Sequence, residues 1–283
     1  MVNTLFTKIL YKSKLKLLNI LILNMQFLEI IVLSIVQGIG EFLPISSSTN
    51  ITLISKLLSF NDLSFSLKIA LHCGSLLALL IYFRKVIYKI ILGIFTNKVK
   101  LSNTAFYLML LSTIPVIITG IIFNDFIKNF DIPFVTGIIL ITFGIILYVV
   151  DKYNIGINCT NKTLQYIIIG FFQSIAIFSG VSRSGICITG CRFLNIERSQ
   201  AIKISLLLAI PSISGSLVLE LINMYKNNTL NTLNIDTLFA VLLTGLIGIF
   251  SIKPCIHYME KNGFRTLMWY RIILGLVLIF LVK

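Results

Sequence analysis

Six apolar runs dominate the chain, at roughly 65–83, 104–123, 133–151, 199–222, 236–253 and 268–282. Each is long enough for a helix to cross a hydrocarbon core about 30 Å thick. Two further apolar stretches, about 27–43 and 164–178, behave differently, because each meets a knot of Pro, Gly and Ser and then a shorter helix-like stretch. Such a knot frees backbone groups that lipid cannot satisfy, so at membrane depth it must be buried in protein or line a wet cavity. The pattern predicts an all-α, polytopic integral membrane protein with about six transmembrane helices and two re-entrant helical hairpins.

The knots resemble each other. "VQGIGEFLPISSS" and "FQSIAIFSGVSRS" share Gln37 with Gln173, Ile39 with Ile175, Phe42 with Phe178, Ser46 with Ser182 and Ser48 with Ser184, all at an offset of 136 residues. Downstream, "GSLLALL" from Gly74 echoes "GSLVLEL" from Gly215. Related hairpins entering from opposite sides are the mark of an inverted repeat, whose functional site lies between the halves near mid-membrane. The expected organisation is a basic and apolar N-terminal extension over 1–26 and one membrane-embedded domain over 27–283, with repeat halves near 27–151 and 164–283.

Composition agrees: 57% of residues are hydrophobic and 12% charged, where soluble domains carry roughly a quarter charged. The net charge of +14 does not point to nucleic acid, because the basic residues are spread over short loops between apolar runs. Loop 84–103 (Arg84, Lys85, Lys89, Lys98, Lys100) and loop 254–267 (Lys261, Arg265) read as cytoplasmic. Loop 124–132, with Lys128 against Asp125 and Asp131, and loop 223–235, with Lys226, read as external. The first hairpin then enters from outside and the second from inside. The N-terminal extension, basic at Lys8, Lys12, Lys14 and Lys16, reads as an uncleaved segment or first anchor, and lands outside unless it adds a crossing. The five cysteines show no metal-ligand spacing and read as small packing residues.

The chemistry concentrates in the knots. Arg183, in "SGVSRSG", is a membrane-embedded guanidinium that needs an anion, either a phosphate ligand or an internal carboxylate such as Glu41 or Glu220. Ser182, Ser184 and Gly185 add hydroxyl and backbone donors at a helix start. Glu41 follows Gln37 by four residues on one helical face, placed to act as general base or, with Gln37, to hold a hard divalent cation through oxygen. Ser46, Ser47 and Ser48 are nucleophile or phosphate-donor candidates, or simply satisfy the turn. His72, in "ALHCGS", is a nearby base or a packing hydrogen bonder, and His257 reads as solvated.

"VQGIGEFLPISSS" resembles the (E/Q)-x-x-x-E plus "FLPISS" signature of bacterial undecaprenyl-diphosphate phosphatases, the bacitracin-resistance family, and "GVSRSG" resembles that family's "PG-x-SRSG". The similarity extends through "ALHCGSLLALLIYFRK", "SLLLAIPSISG" and "YRIILG". The resemblance implies a multi-pass enzyme of the bacterial plasma (inner) membrane that removes the terminal phosphate of undecaprenyl diphosphate, regenerating the carrier for peptidoglycan precursors. It implies Gln37, Glu41, Ser46 and Ser47 as first-signature positions, and Ser182, Arg183, Ser184 and Gly185 as second-signature ones. Catalysis is expected from Glu41, Ser46, Ser47, Arg183 and His72, substrate binding from Gln37, Ser48, Asn50, Ser182, Arg183, Ser184 and Gly185, and metal binding from Glu41 and Gln37. The expected cofactor is Mg2+ or Ca2+. The expected partners are the lipid substrate, membrane lipids and a second copy in a homodimer, with no nucleic acid. The chain departs from the family at Asn50, where a histidine is usual, and at Ser179, where a proline is usual. Asparagine does not shuttle a proton near pH 7, so that duty passes to Glu41 or His72. A polyprenyl-phosphate flippase and a binding homologue without turnover are the alternatives.

Overall fold

The computed structural model describes residues 26–60, 64–96, 100–128, 130, 132–153, 155–229 and 232–281. The basic N-terminal extension lies, but for Gln26, outside the described residues, as do Lys98 and Asp131 and the side chains of Lys100, Asp125 and Lys128. The described chain is helical: α1 (Gln26–Gly40), α2 (Ser47–Leu57), α3 (Phe65–Tyr82), α4 (Arg84–Thr96), α5 (Lys100–Lys128), α6 (Pro133–Tyr153), α7 (Lys162–Ser174), α8 (Arg183–Phe193), α9 (Arg198–Lys226), α10 (Ile235–Asn262) and α11 (Arg265–Leu281).

Five of these, α3, α5, α6, α9 and α10, are long and apolar enough to cross a membrane. The sixth expected span falls on α11, whose 17 residues make a rod of about 25 Å laid along α6. Glycines at that contact bring the backbones together: a Cβ on Gly137 would stand 2.7 Å from the Gly275 carbonyl oxygen. The outward faces are apolar. On α10, Leu238, Leu242, Leu246 and Phe250 recur every four residues and are all exposed, a stripe suited to lipid rather than water.

Two segments expected as loops are largely helical. The basic stretch after Tyr82 forms α4, because Ile87 and Ile90 recur at helical spacing and pack inward while Tyr88 and Lys89 stay outside. The stretch expected as loop 254–267 mostly continues α10, and exposed His257 lies on that helix. The reversal is confined to Gly263, at φ +64°, before Phe264. Helices thus outrun their apolar runs, since a helix does not end where the hydrocarbon does.

The two hairpins do not cross. α2 and α8 have 11 residues each, about 16 Å and too short for a span. α1 turns through residues 41–46 into α2, and α7 passes through a 3-10 turn (Ile175–Ile177) and residues 178–182 into α8. A second polar knot, away from these tips, ties α6, α8 and α9: buried Asp151 accepts from Arg192 at 2.9 Å and from Arg198 at 2.7 and 3.0 Å.

Candidate active site

The two hairpin turns share one local geometry. Ser46 (φ 63°) and Ser182 (φ 69°), both at positive φ, precede α2 and α8. Each serine carbonyl accepts the first helical bond, from Asn50 N at 3.1 Å and from Ile186 N at 2.9 Å. These pairs stand at the same offset as the matched sequence letters, so the repeat extends to backbone conformation. A non-glycine residue at positive φ costs roughly 1 kcal/mol or more, and both turns carry that cost where the candidate chemistry sits.

The turns meet tip to tip. Ser184 Oγ donates to the Leu43 carbonyl at 3.0 Å. Arg183 Nη2 donates to Glu41 Oε1 at 2.5 Å. The other carboxylate oxygen of Glu41 accepts from Ser47 Oγ at 2.6 Å and from Gln37 Nε2 at 3.1 Å. Gln37, fully buried on α1, is held by a second bond from Nε2 to Ser75 Oγ at 3.2 Å, while its Oε1 is a buried acceptor with no protein donor. A hydroxyl, a carboxylate and a guanidinium therefore form one chain, with one α8 residue and the rest from the first hairpin.

A cavity of about 330 Å3 opens over this chain, lined by Glu41, Ser46, Ser47, Ser48, His72, Ser182, Arg183 and Ser184 among others, with Ile177, Phe178 and Ile213 supplying apolar wall. Eight of the expected site residues thus share one space. Gln37, Asn50 and Gly185 stand behind it. Gly185 N donates to Ser182 Oγ at 3.3 Å, an internal cap of α8. Ser46 Oγ pairs with Thr49 Oγ1 at 2.8 Å. Ser47, by contrast, points its hydroxyl at a carboxylate.

Asn50, the departure from the family pattern, is buried and committed to the turn. Its Nδ2 donates to the carbonyls of Ile45 and Ser46 at 3.0 and 2.9 Å, and its Oδ1 accepts from the Tyr270 hydroxyl. Every polar atom of this side chain has a protein partner, so it serves the hairpin and not the cavity. The other departure, Ser179, lines the cavity wall.

Glu41 and Gln37 together offer a divalent ion one carboxylate, whose oxygens already accept from a guanidinium, an amide and a hydroxyl. Among the described residues no three His, Cys, Asp or Glu side chains cluster as metal ligands. Gln37 turns its NH2 group, not its carbonyl, toward Glu41. A second cation beside Arg183 would also meet like charge. The residues present do not fit a protein-held Mg2+ or Ca2+ between Glu41 and Gln37.

Arg271 was not among the expected site residues. It is 1% exposed, and its guanidinium donates to Leu140 O (3.0 Å), Pro44 O (3.1 Å), Gly180 O (3.0 Å) and Val181 O (3.0 Å). Pro44 and Gly180 are repeat-equivalent, so one side chain from α11 ties the matching carbonyl of each tip. A lone arginine inside the apolar run 268–282 was the available signal. Ser205 is a second addition, its hydroxyl donating to Ser184 O at 3.1 Å and its carbonyl lying 3.4 Å from Arg183 Nη1.

The sequence matches the family model described as bacitracin resistance protein BacA over residues 30–277. It is 38% identical to the undecaprenyl-diphosphatase of Pelagibacter ubique, over 90% of this chain and 97% of that protein. It is 37% identical to that of Elusimicrobium minutum (88% and 95% covered) and 33% identical to that of Campylobacter curvus (91% and 99%). A match running through both hairpins and all five long helices, with relatives aligned over nearly their whole lengths, places this chain in the bacitracin resistance protein BacA family.

Proposed function

We propose that this multi-pass membrane protein hydrolyses undecaprenyl diphosphate to undecaprenyl phosphate and orthophosphate in the bacterial inner membrane. That reaction recycles the lipid carrier of peptidoglycan synthesis and underlies bacitracin resistance. The observation that carries the reading is the 2.5 Å pair of Glu41 and Arg183, which joins the two family signatures across a cavity also lined by Ser47. The activity named for the relatives favours hydrolysis over transport of the same lipid.

The steps follow from the groups present. The diphosphate draws Arg183 from its ion pair, and the guanidinium fork takes phosphate oxygens in two parallel bonds. Glu41, released from Arg183 but still hydrogen-bonded to Ser47, accepts the hydroxyl proton as Ser47 Oγ attacks the terminal phosphorus. The bridging P–O bond breaks, undecaprenyl phosphate leaves with the electron pair, and a phosphoserine remains. His72 then takes a proton from a water that attacks that phosphorus, the Ser47 Oγ–P bond breaks, Ser47 Oγ takes its proton back from Glu41, and orthophosphate is freed. Arg183, with the Ser182 and Ser184 hydroxyls, stabilises charge that grows on the transferring oxygens. His72 lines the same cavity, which supports it as the proton carrier in place of the family histidine. No step is assigned to a protein-bound metal; a divalent cation enters this scheme as a counterion of the substrate's diphosphate.

The test is release of orthophosphate from a long-chain prenyl diphosphate by the purified protein in detergent, where no gradient drives transport. Turnover lost in Arg183→Ala, with the protein still monodisperse, supports the reading. A wild-type protein that binds the lipid and releases nothing would sink it.

A further inference from the structure

A second cavity, also about 330 Å3, adjoins the first. Ser48, His72, Ser179 and Glu220 line both spaces and so form the passage between them. Beyond the passage the lining changes character. On α2, Ser48, Thr52 and Lys56 follow at four-residue steps along one face, and on α3, His72 and Lys68 do the same. Two polar rails thus lead away from the catalytic turn, the longer about 12 Å in length, and each ends in an exposed lysine.

The passage holds two unusual atoms. His72 Nδ1 and Glu220 Oε2 are both buried and lack a protein donor. His72 is the common electrostatic neighbour of Glu41 and Glu220, which sets it between the reacting turn and the outer space. Buried acceptors without donors are costly, and here they belong to residues that line a route also lined by two lysines. A ligand that satisfies both needs O–H donors and anionic oxygens on one small body.

Orthophosphate near neutral pH meets that description. Its P–O–H groups donate to acceptors such as Nδ1 and a carboxylate oxygen, and its charged oxygens accept from Lys56 and Lys68. A phosphodiester lipid headgroup offers the charge without the O–H, and so does sulfate. We infer that the space between α2 and α3 is a product vestibule, which takes orthophosphate from Arg183 past His72 and Glu220 to Lys56 and Lys68 before release. The inference rests on the phosphatase reading above, since hydrolysis is what would deliver free orthophosphate there.

The experiment uses the full-length protein in neutral detergent at constant ionic strength and follows undecaprenyl phosphate formation while orthophosphate is added. Removing both cations should weaken phosphate inhibition about 5- to 30-fold. The Lys56→Gln/Lys68→Gln variant is therefore expected to show that rise in inhibition constant, larger than any change in KM for the diphosphate, with Lys56→Arg/Lys68→Arg restoring it. Sulfate should inhibit the wild type less than orthophosphate does. An inhibition constant unmoved by the double variant, equal inhibition by sulfate, or relief by phosphatidylglycerol in place of orthophosphate would overturn the vestibule. Phosphate-dependent thermal stabilisation of the wild type and the double variant reads the same site without turnover, so an inactive protein that loses this stabilisation with the lysines would retain the site while refuting the phosphatase reading.

Discussion

Glu41 and Arg183 stand 142 residues apart in sequence and 2.5 Å apart in space. With side chains 10% and 15% exposed, the pair is close to fully desolvated, and neither charge is comfortable without the other or a ligand. Loss of one preorganised donor to a developing oxyanion costs about 10²- to 10³-fold in rate. Arg183→Ala is expected to lose at least that much in kcat. Arg183→Lys, which keeps the charge without the fork, should recover only part of it. Orthophosphate release and size-exclusion profiles of the same preparations check both statements, and an Arg183→Lys enzyme as fast as the wild type would remove the bidentate role.

Ser47 and Ser46 are separated by their partners. Ser47 donates to the Glu41 carboxylate at 2.6 Å, whereas Ser46 pairs with Thr49. Ser47→Ala should therefore abolish turnover and prevent any phosphoserine from forming when a prenyl diphosphate is mixed and quenched. Ser46→Gly suits the left-handed φ of 63°, so it should fold normally and retain most activity. Mass spectrometry of the quenched wild type locates the phosphate, and a label on Ser46 would reverse the assignment.

Hydropathy made the spans and the broken hairpins legible, because period and length report directly on burial in lipid. The match of "VQGIGEFLPISSS" with "FQSIAIFSGVSRS" showed the hairpins as relatives, and the positive φ at Ser46 and Ser182 came only with the structure. The partner of Arg183 was narrowed to Glu41 or Glu220 by charge alone, and only the packing of the tips decides for Glu41. Arg271 stayed hidden because a single cation barely moves the average of a long apolar run, and its carbonyl partners lie on three other segments. Asn50 was placed at the substrate because the resemblance fixes a position in the sequence and not a rotamer. The helix α4 was not legible as such because its apolar run is short and broken by Arg84, Lys85 and Lys89, a composition shared by cytoplasmic loops.

Asn50 acts as a latch on the first hairpin. Asn50→Asp turns two donated bonds into a carboxylate facing the Ile45 and Ser46 carbonyls. Each buried group left unsatisfied costs about 1–3 kcal/mol, so Asn50→Asp should lower the thermal midpoint clearly. Tyr270→Phe removes one bond to the same amide and should cost less, about 1 kcal/mol. Equal stability of Asn50→Asp and wild type in detergent melts would mean that the side chain is free of the turn.

Arg271 carries a heavier structural duty. It is buried, and four carbonyl oxygens from α6 and both hairpin tips depend on it. Lysine has three donors on one atom and cannot reproduce a planar fork. Arg271→Lys should therefore destabilise by about 3 kcal/mol or more and depress kcat through misplacement of the tips. KM should change less, because Arg271 does not line the cavity. A fall in kcat without loss of thermal stability would show that the arginine acts electrostatically on the reaction and not by holding the turns.

The cation dependence separates a protein-held ion from a substrate-borne one. Glu41 is already shared among Arg183, Ser47 and Gln37, so neither of its oxygens is free to hold a divalent ion with Gln37 before substrate arrives. Chelation should accordingly lower the rate by altering the diphosphate, and added Mg2+ should restore it. The half-saturating Mg2+ concentration should then rise with the concentration of prenyl diphosphate. Isothermal titration of the substrate-free protein should show no Mg2+ site, and Gln37→Met should leave the Mg2+ requirement where it was. A stoichiometric Mg2+ site in the free protein, lost in Glu41→Gln, would instead mean that the Glu41–Arg183 pair opens to admit a metal.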